Sequence, residues 1–327
     1  MLLFFSGIFL LIVGYFLYGR LIEKILAPDD RQTPALKYAD GVDYVVLPHW
    51  KNMLIQLLNI AGVGPIIGVI LGIKFGTIVF IILPIGNLLA GATHDFLAGM
   101  MSLRHKGANL PTLINLALGK NYYRFFAVFM VGLLLLVVAV FVNIPASIVD
   151  GFWEGRADFW IAVGVVFLYY VCATLFPVDK IIGRIYPFFG ALLLIGTLAM
   201  CVALFYNVFK DPSLLAQSEG FLQHKFTAEN NFPIVPMLFV TIACGIISGF
   251  HATQSPIIAR TMKSERQARS SFYGMMVAEG LIAMIWAGAG LAIYNLFPEL
   301  MQKAAPKVLL DVTDYFLGSG LGLVTIL

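Results

Sequence analysis

Long apolar runs separated by short polar gaps organise the chain from end to end. A bilayer core about 30 Å thick is crossed by roughly 20 apolar helical residues. Eight stretches reach or approach that length: 2–20, 52–73, 76–102, 124–147, 159–176, 187–209, 232–256 and 272–296. A ninth run, about 316–327, is too short to span, which predicts a truncated product of a longer chain. The expectation is an all-α polytopic membrane protein, a single transmembrane domain over 1–327 with about eight spans and a partial ninth. The first run lacks a basic leader and a cleavage site of the A-x-A kind, and Arg20 and Lys24 follow it, so it reads as a retained helix and not a signal peptide. Residues 109–119, apolar but short and containing Pro111, are expected at the membrane interface, and 210–231 as a polar loop.

Basic residues alternate between the gaps. Those after runs 1, 3, 5 and 7 hold Arg20, Lys24, Arg31, Lys37 and Lys51, then Arg104, Lys106, Lys120 and Arg124, then Lys180 and Arg184, then Arg260, Lys263, Arg266 and Arg269. The opposite gaps hold only Lys74, Arg156, Lys210, Lys225, Lys303 and Lys307. Cytoplasmic loops are enriched in Lys and Arg, so this alternation predicts that the N-terminus lies outside and the more basic gaps in the cytoplasm.

Composition narrows the function classes. The chain is 60% hydrophobic and 12% charged, with a mean hydropathy of +0.90, against about 25% charged in a soluble domain. The net charge of +3 is scattered, which argues against a nucleic-acid partner and leaves the lipid bilayer as the surrounding phase. Cys172, Cys201 and Cys244 lie in apolar runs with no CxxC pair, so they read as buried thiols and predict neither a disulfide framework nor a metal site. There is no G-x-S-x-G elbow, P-loop, H-E-x-x-H or dinucleotide fingerprint. Cys244 seven positions before His251 is a weak hint of nucleophile and base. The expectation is a protein without enzymatic activity or cofactor, in which transport is driven by an ion or substrate gradient.

Two runs look interrupted. Run 2, MLIQLLNIAGVGPIIGVILGIK, carries Gly62, Gly64 and Pro65 at its centre, where a missing donor and flexible backbone favour unwinding. Run 7 carries Gly245 and Gly249, then His251, Thr253, Gln254 and Ser255 before Pro256. Five elements apart and opposite in direction, the two match an inverted repeat whose discontinuous helices build a midplane site. On this reading 52–209 is the first repeat and 232–327 a partial second. The alternative is close helix packing, since Gly64, Gly68 and Gly72 also fit small-xxx-small contacts.

Ionisable groups inside spans are costly and mark function. Asn59, Asp95, His251 and Glu279 lie eight to ten positions from Lys51, Arg104, Arg260 and Arg269, roughly 12–15 Å from one edge at about 1.5 Å per residue. Asp95, His251 and Glu279 are therefore candidates for handling a proton, with Asn59 and Gln254 as neutral partners. The structural alternatives are an ion pair or cap for Asp95, for instance with adjacent His94, and a satisfied interior histidine for His251. His49, His105 and His224 read as solvated loop residues. Trp50, Trp153, Trp160, Tyr122 and Tyr123 read as interfacial anchors, and Met100, Met101, Met275 and Met276 as packing residues.

ADGVDYV (39–45), NIAGVGPIIG (59–68), LAGATHDF (89–96) and CGIISGFHATQSP (244–256), followed by FYGMMVAEGLIAMIWA (272–287), together resemble the carbon starvation protein A family of membrane transporters, in its shorter branch. The resemblance implies a cell (inner) membrane protein for proton-coupled uptake of peptides, with pyruvate or another small carboxylate as the alternative substrate, induced when carbon is scarce. It also implies kinship with the amino acid–polyamine–organocation superfamily and its LeuT-like five-plus-five inverted repeat, the second repeat being incomplete here. A channel-like or sensory membrane protein is the competing reading.

Overall fold

The computed structural model describes residues 1–152, 159–175, 182–216, 234–303 and 305–318, and every regular element among them is helical. Six helices are long and apolar enough to cross a membrane: Leu2–Leu26, Val79–Arg104, Lys120–Val149, Gly190–Lys210, Ile234–Ala259 and Glu265–Leu296. The pair His49–Ile60 and Gly64–Phe75, bent by 47°, makes a seventh if taken as one span, and Phe159–Cys172 is a shorter apolar helix. The eight expected runs thus all fall on helices, but two of them are not full, straight spans. Most of the expected ninth run and of the 210–231 loop, with Trp153 and His224, lies outside the described residues.

We label the elements α1 (Leu2–Leu26), α2 (Pro34–Lys37), α3 (His49–Ile60), α4 (Val63–Gly72), α5 (Val79–Gly86), α6 (Thr93–Arg104), α7 (Leu110–Leu118), α8 (Lys120–Phe152), α9 (Phe159–Leu175), α10 (Ile182–Lys210), α11 (Ile234–Ile246), α12 (His251–Ala259), α13 (Met275–Leu296) and α14 (Ala305–Leu317). A π-helical turn, Asn87–Ala92, joins α5 to α6, and another, Arg269–Gly274, leads into α13.

The 265–296 span is the central post, with 83% of its most apolar window buried against 11% for Lys120–Val149. Trp286 and Tyr294 are wholly enclosed, and α1, α4, α5 and α10 pack around them. Helix α1 turns Phe4, Gly7, Leu11, Gly14 and Ile22 inward at helical spacing. A Cβ at Gly7 would lie 2.6 Å from the Phe80 carbonyl oxygen, so glycine there lets the two backbones meet. Helix α8 instead exposes Phe125, Val128, Leu135 and Leu136, the chemistry of a surface that meets lipid.

The gaps after runs 1, 3 and 7 share one end of the bundle. Buried Glu265 accepts from Arg104 Nε and Nη2 at 3.2 and 3.1 Å and from the Asp29 amide at 3.0 Å, and Arg104 also donates to the Leu26 and Ala27 carbonyls. Arg266 pairs with Asp30. At the opposite end the N-terminal ammonium donates to the Leu215 carbonyl, and Asn295 donates to the Leu214 carbonyl. The basic alternation therefore sorts these loops into the two ends correctly. Pro111 opens α7 rather than interrupting it: Asn109 caps the helix by accepting from Thr112 N, and a proline in the first turn lacks only a donor that has no helical partner. Helix α14 was not among the expected elements; its Val308, Leu309 and Val312 are buried.

Candidate functional site

The first break falls at Ala61 and Gly62, between α3 and α4. Pro65 sits in the first turn of α4, so its missing donor costs that half-helix nothing while its ring opposes continuation from α3. The second break spans residues 247–250, between α11 and α12. The two broken segments touch. A Cβ at Gly64 would approach Cys244 Sγ to 3.0 Å, one at Gly68 would collide with the Thr241 carbonyl, and one at Gly72 would collide with Ile242. The glycine stripe and the broken helix, posed as alternatives by the sequence, are both present. Cys244, expected as a buried thiol, is instead exposed, although Gly64 of α4 packs against it.

Breaking α11 frees backbone groups, and a side chain missed by the sequence reading takes one of them up. Asn87, wholly buried in the π turn before α6, donates through Nδ2 to the carbonyls of Gly245 at 3.2 Å and Met276 at 2.9 Å. It fits because Gly280 has no side chain: a Cβ there would lie 2.8 Å from Asn87 Cγ. The only sequence signal was an asparagine inside the apolar run ILPIGNLLAGA. π turns often occur at functional sites.

Helices α6 and α12 bring Asp95 and His251 together. His251 Nε2 stands 3.8 Å from Asp95 Oδ2, both side chains being essentially buried. The other edge of the same ring faces His94, with the two Nδ1 atoms 3.0 Å apart and the rings stacked at 5.2 Å between centroids. From α3, Gln56 donates Nε2 to Asp95 Oδ2 at 2.7 Å. Gln56 is one turn earlier than the expected partner Asn59, whose amide bonds back to the Ile55 carbonyl at 2.7 Å within its own helix. Gln254 and Ser255 are buried on α12 beside this group.

Glu279 of α13 is fully buried, and neither of its carboxyl oxygens has a hydrogen-bond partner. It lies near enough to Asp95 and to Cys244 for their charges to interact. A small, partly open cleft of about 10 Å³, room for about one water molecule, is lined by His94, His251, Ser255, Ser102, Ala108, Leu110 and Leu113 beneath α7. Among the described residues no cluster of three or more His, Cys, Asp or Glu side chains could hold a metal ion.

The ADGVDYV motif lies away from this centre. Asp40 Oδ1 accepts from the amides of Val42, Asp43 and Tyr44, and the Tyr44 and Val42 amides are the main cause that holds its carboxyl below the usual carboxylate range. The loop is thereby presented so that the Tyr44 hydroxyl donates to the Lys106 carbonyl and the Arg260 guanidinium lies over the Tyr44 ring at 5.4 Å. His49, expected to be solvated, is half-buried and bonds Ser270 Oγ at 3.0 Å.

Apolar helices around a polar, partly open centre define a multi-pass membrane protein. The model of the family described as carbon starvation protein CstA matches residues 1–166 and 150–305, and the chain belongs to that family. It is 43% identical to an uncharacterized membrane protein of Haemophilus influenzae, over 93% of this chain and 94% of that one. It is 27% identical to proteins named peptide transporter CstA in Escherichia coli and in Campylobacter jejuni, in each case over 86% of this chain and 48% of the relative. The chain spans about half the length of these named transporters. No solved structure matches it.

Proposed function

We propose that the protein is a secondary active transporter of the inner membrane that takes up peptides together with protons and serves the cell when carbon is scarce. The observation that supports this most is the convergence of Asp95, His251 and Glu279, all buried, beside two broken helices that touch at Gly64 and Cys244. Buried ionisable groups are costly in a membrane and are retained for ion or substrate pathways. The relatives named as peptide transporters supply the substrate class.

On this reading the two breaks belong to a LeuT-like inverted repeat, 52–209 and a partial second repeat from 232, with Gly62, Gly64, Pro65, Gln254 and Ser255 lining the substrate path. The half-helix starts at Val63 and His251 suit a carboxylate, because backbone donors and the helix dipole converge there. That chemistry serves a peptide C-terminus and pyruvate alike. Uptake of labelled dipeptide and labelled pyruvate into proteoliposomes, each with and without an imposed pH gradient, decides the substrate. Gradient-dependent accumulation of the dipeptide supports the proposal; accumulation of pyruvate alone replaces peptide with small carboxylate; equilibration without accumulation favours a channel.

A further inference from the structure

His251 presents one nitrogen to each of two neighbours. Its Nε2 faces Asp95 Oδ2 at 3.8 Å and its Nδ1 faces His94 Nδ1 at 3.0 Å. A contact of that length between two imidazole nitrogens is a hydrogen bond only if one of them carries a hydrogen and the other does not. The three groups also form a gradient of access: Asp95 is 0% exposed, His251 is 1% exposed, and His94 is exposed and lines the cleft that runs beneath α7.

We infer that His94 and His251 form a two-imidazole proton relay that connects the buried Asp95 carboxyl with the cleft under α7. The inference rests on the proton-coupled reading above and deepens it by naming the route. In the starting state His94 donates Nδ1–H to His251 Nδ1, and His251 points its Nε2–H at the Asp95 carboxylate. A proton from cleft water adds to His94 Nε2. The Nδ1 hydrogen of His94 then passes to His251, and the Nε2 hydrogen of His251 passes to Asp95 Oδ2 as the 3.8 Å gap closes. One proton has entered and one carboxyl has been neutralised; both imidazoles remain neutral with exchanged tautomers, and ring rotation resets them. The surrounding groups favour this direction of travel. Facing the cluster are Gln56 from α3, Ser255 from α12 and, near enough to Asp95 for their charges to interact, Glu279 from α13, and none of these three carries a positive charge. Among the described residues His251 Nε2 has no hydrogen-bond partner and Asp95 Oδ2 accepts only from Gln56, which leaves His251 free to hand its hydrogen to Oδ2.

The test uses the complete protein in nanodiscs and in proteoliposomes. With ¹⁵N-labelled histidine, His94→Gln should shift both nitrogen resonances of His251, because the Nδ1 contact sets its tautomer. In proteoliposomes, His94→Ala should cut dipeptide-driven proton influx by about a hundredfold or more, the scale of one lost proton-transfer group. Millimolar imidazole should restore part of it, since the vacated ring site opens on the cleft. Unchanged His251 resonances in His94→Gln, or wild-type proton influx in His94→Ala, would overturn the relay. A wild type that moves neither dipeptide nor protons would instead overturn the transport reading, while the resonance experiment still judges the imidazole pair.

Discussion

Gln56 Nε2 donates to Asp95 Oδ2 at 2.7 Å, and both side chains are wholly buried. This bond ties the first half of the broken run 2 to the helix that carries the acidic group. Replacing Gln56 with Leu removes a donor from a buried carboxyl, a loss of about 1–3 kcal/mol. Thermal unfolding in detergent should show a lower Tm for Gln56→Leu, whereas Gln56→Glu tests the same site with charge repulsion and should lower it further. An unchanged Tm in both variants would mean that the bond does not hold the two helices.

Glu279 has the opposite profile, since it is buried with neither oxygen partnered. Such a group is retained at the expense of stability. Glu279→Gln should therefore leave membrane insertion and Tm unchanged or improved, while pH-gradient-driven uptake falls to the level of empty vesicles. Uptake in this variant with wild-type pH dependence would remove Glu279 from the coupling machinery.

Glycines at the helix crossings carry sharply different expectations. A Cβ at Gly91 would collide with the Ile246 carbonyl and one at Gly68 with the Thr241 carbonyl, while at Gly132 and Gly249 nothing lies within 4 Å. Gly68→Ala and Gly91→Ala should each destabilise by about 1–3 kcal/mol through overpacking. Gly132→Ala, within α8, should be neutral or gain up to about 1 kcal/mol from helix propensity. Yields of folded protein and unfolding midpoints for the three variants check this contrast.

Glu265 gathers Arg104 and the Asp29 amide at one end of the bundle. Glu265→Gln should cost about 1.5–3 kcal/mol, the range for hydrogen bonds to a charged group, and should raise protease cleavage between α1 and α3. Cleavage at the wild-type rate would show that this cluster does not secure the loops.

Asp40 gives a pH dependence outside the membrane. Its carboxyl is held below the usual value by the backbone donors of Tyr44 and Val42. The contribution is complete above the ordinary aspartate range near about 3.9 and fades as pH falls through the lower folded value. Protection of residues 39–47 from proteolysis should thus weaken only under strong acid, and Asp40→Asn should lose that acid-dependent step.

The two helix breaks were legible in the sequence, because glycine and proline mark them, and Asp95 and His251, two of the residues expected at one depth, stand 3.8 Å apart. The sequence did not reveal which face of a helix turns inward once a break resets its rotation. For that reason Asn59 was expected beside Asp95, where Gln56 stands, and Asn59 closes on its own backbone instead. Asn87 and the His94–His251 contact depend on tertiary approach between runs some 157 positions apart, which no local pattern encodes. Glu265 was hidden in plain view among Arg260, Lys263, Arg266 and Arg269, where the basic residues alone served to orient the loop. The helical Leu110–Leu118 likewise follows from a neighbour, the Asn109 cap, and not from an apolar run.

The central claim is that peptide and proton cross together through the cluster around Asp95. Its most direct test is the internal pH of proteoliposomes, read by a trapped dye, after dipeptide is added outside with no pH gradient imposed. The account predicts saturable internal acidification that follows dipeptide entry and is lost in Asp95→Asn. Dipeptide entry without any change of internal pH would contradict it.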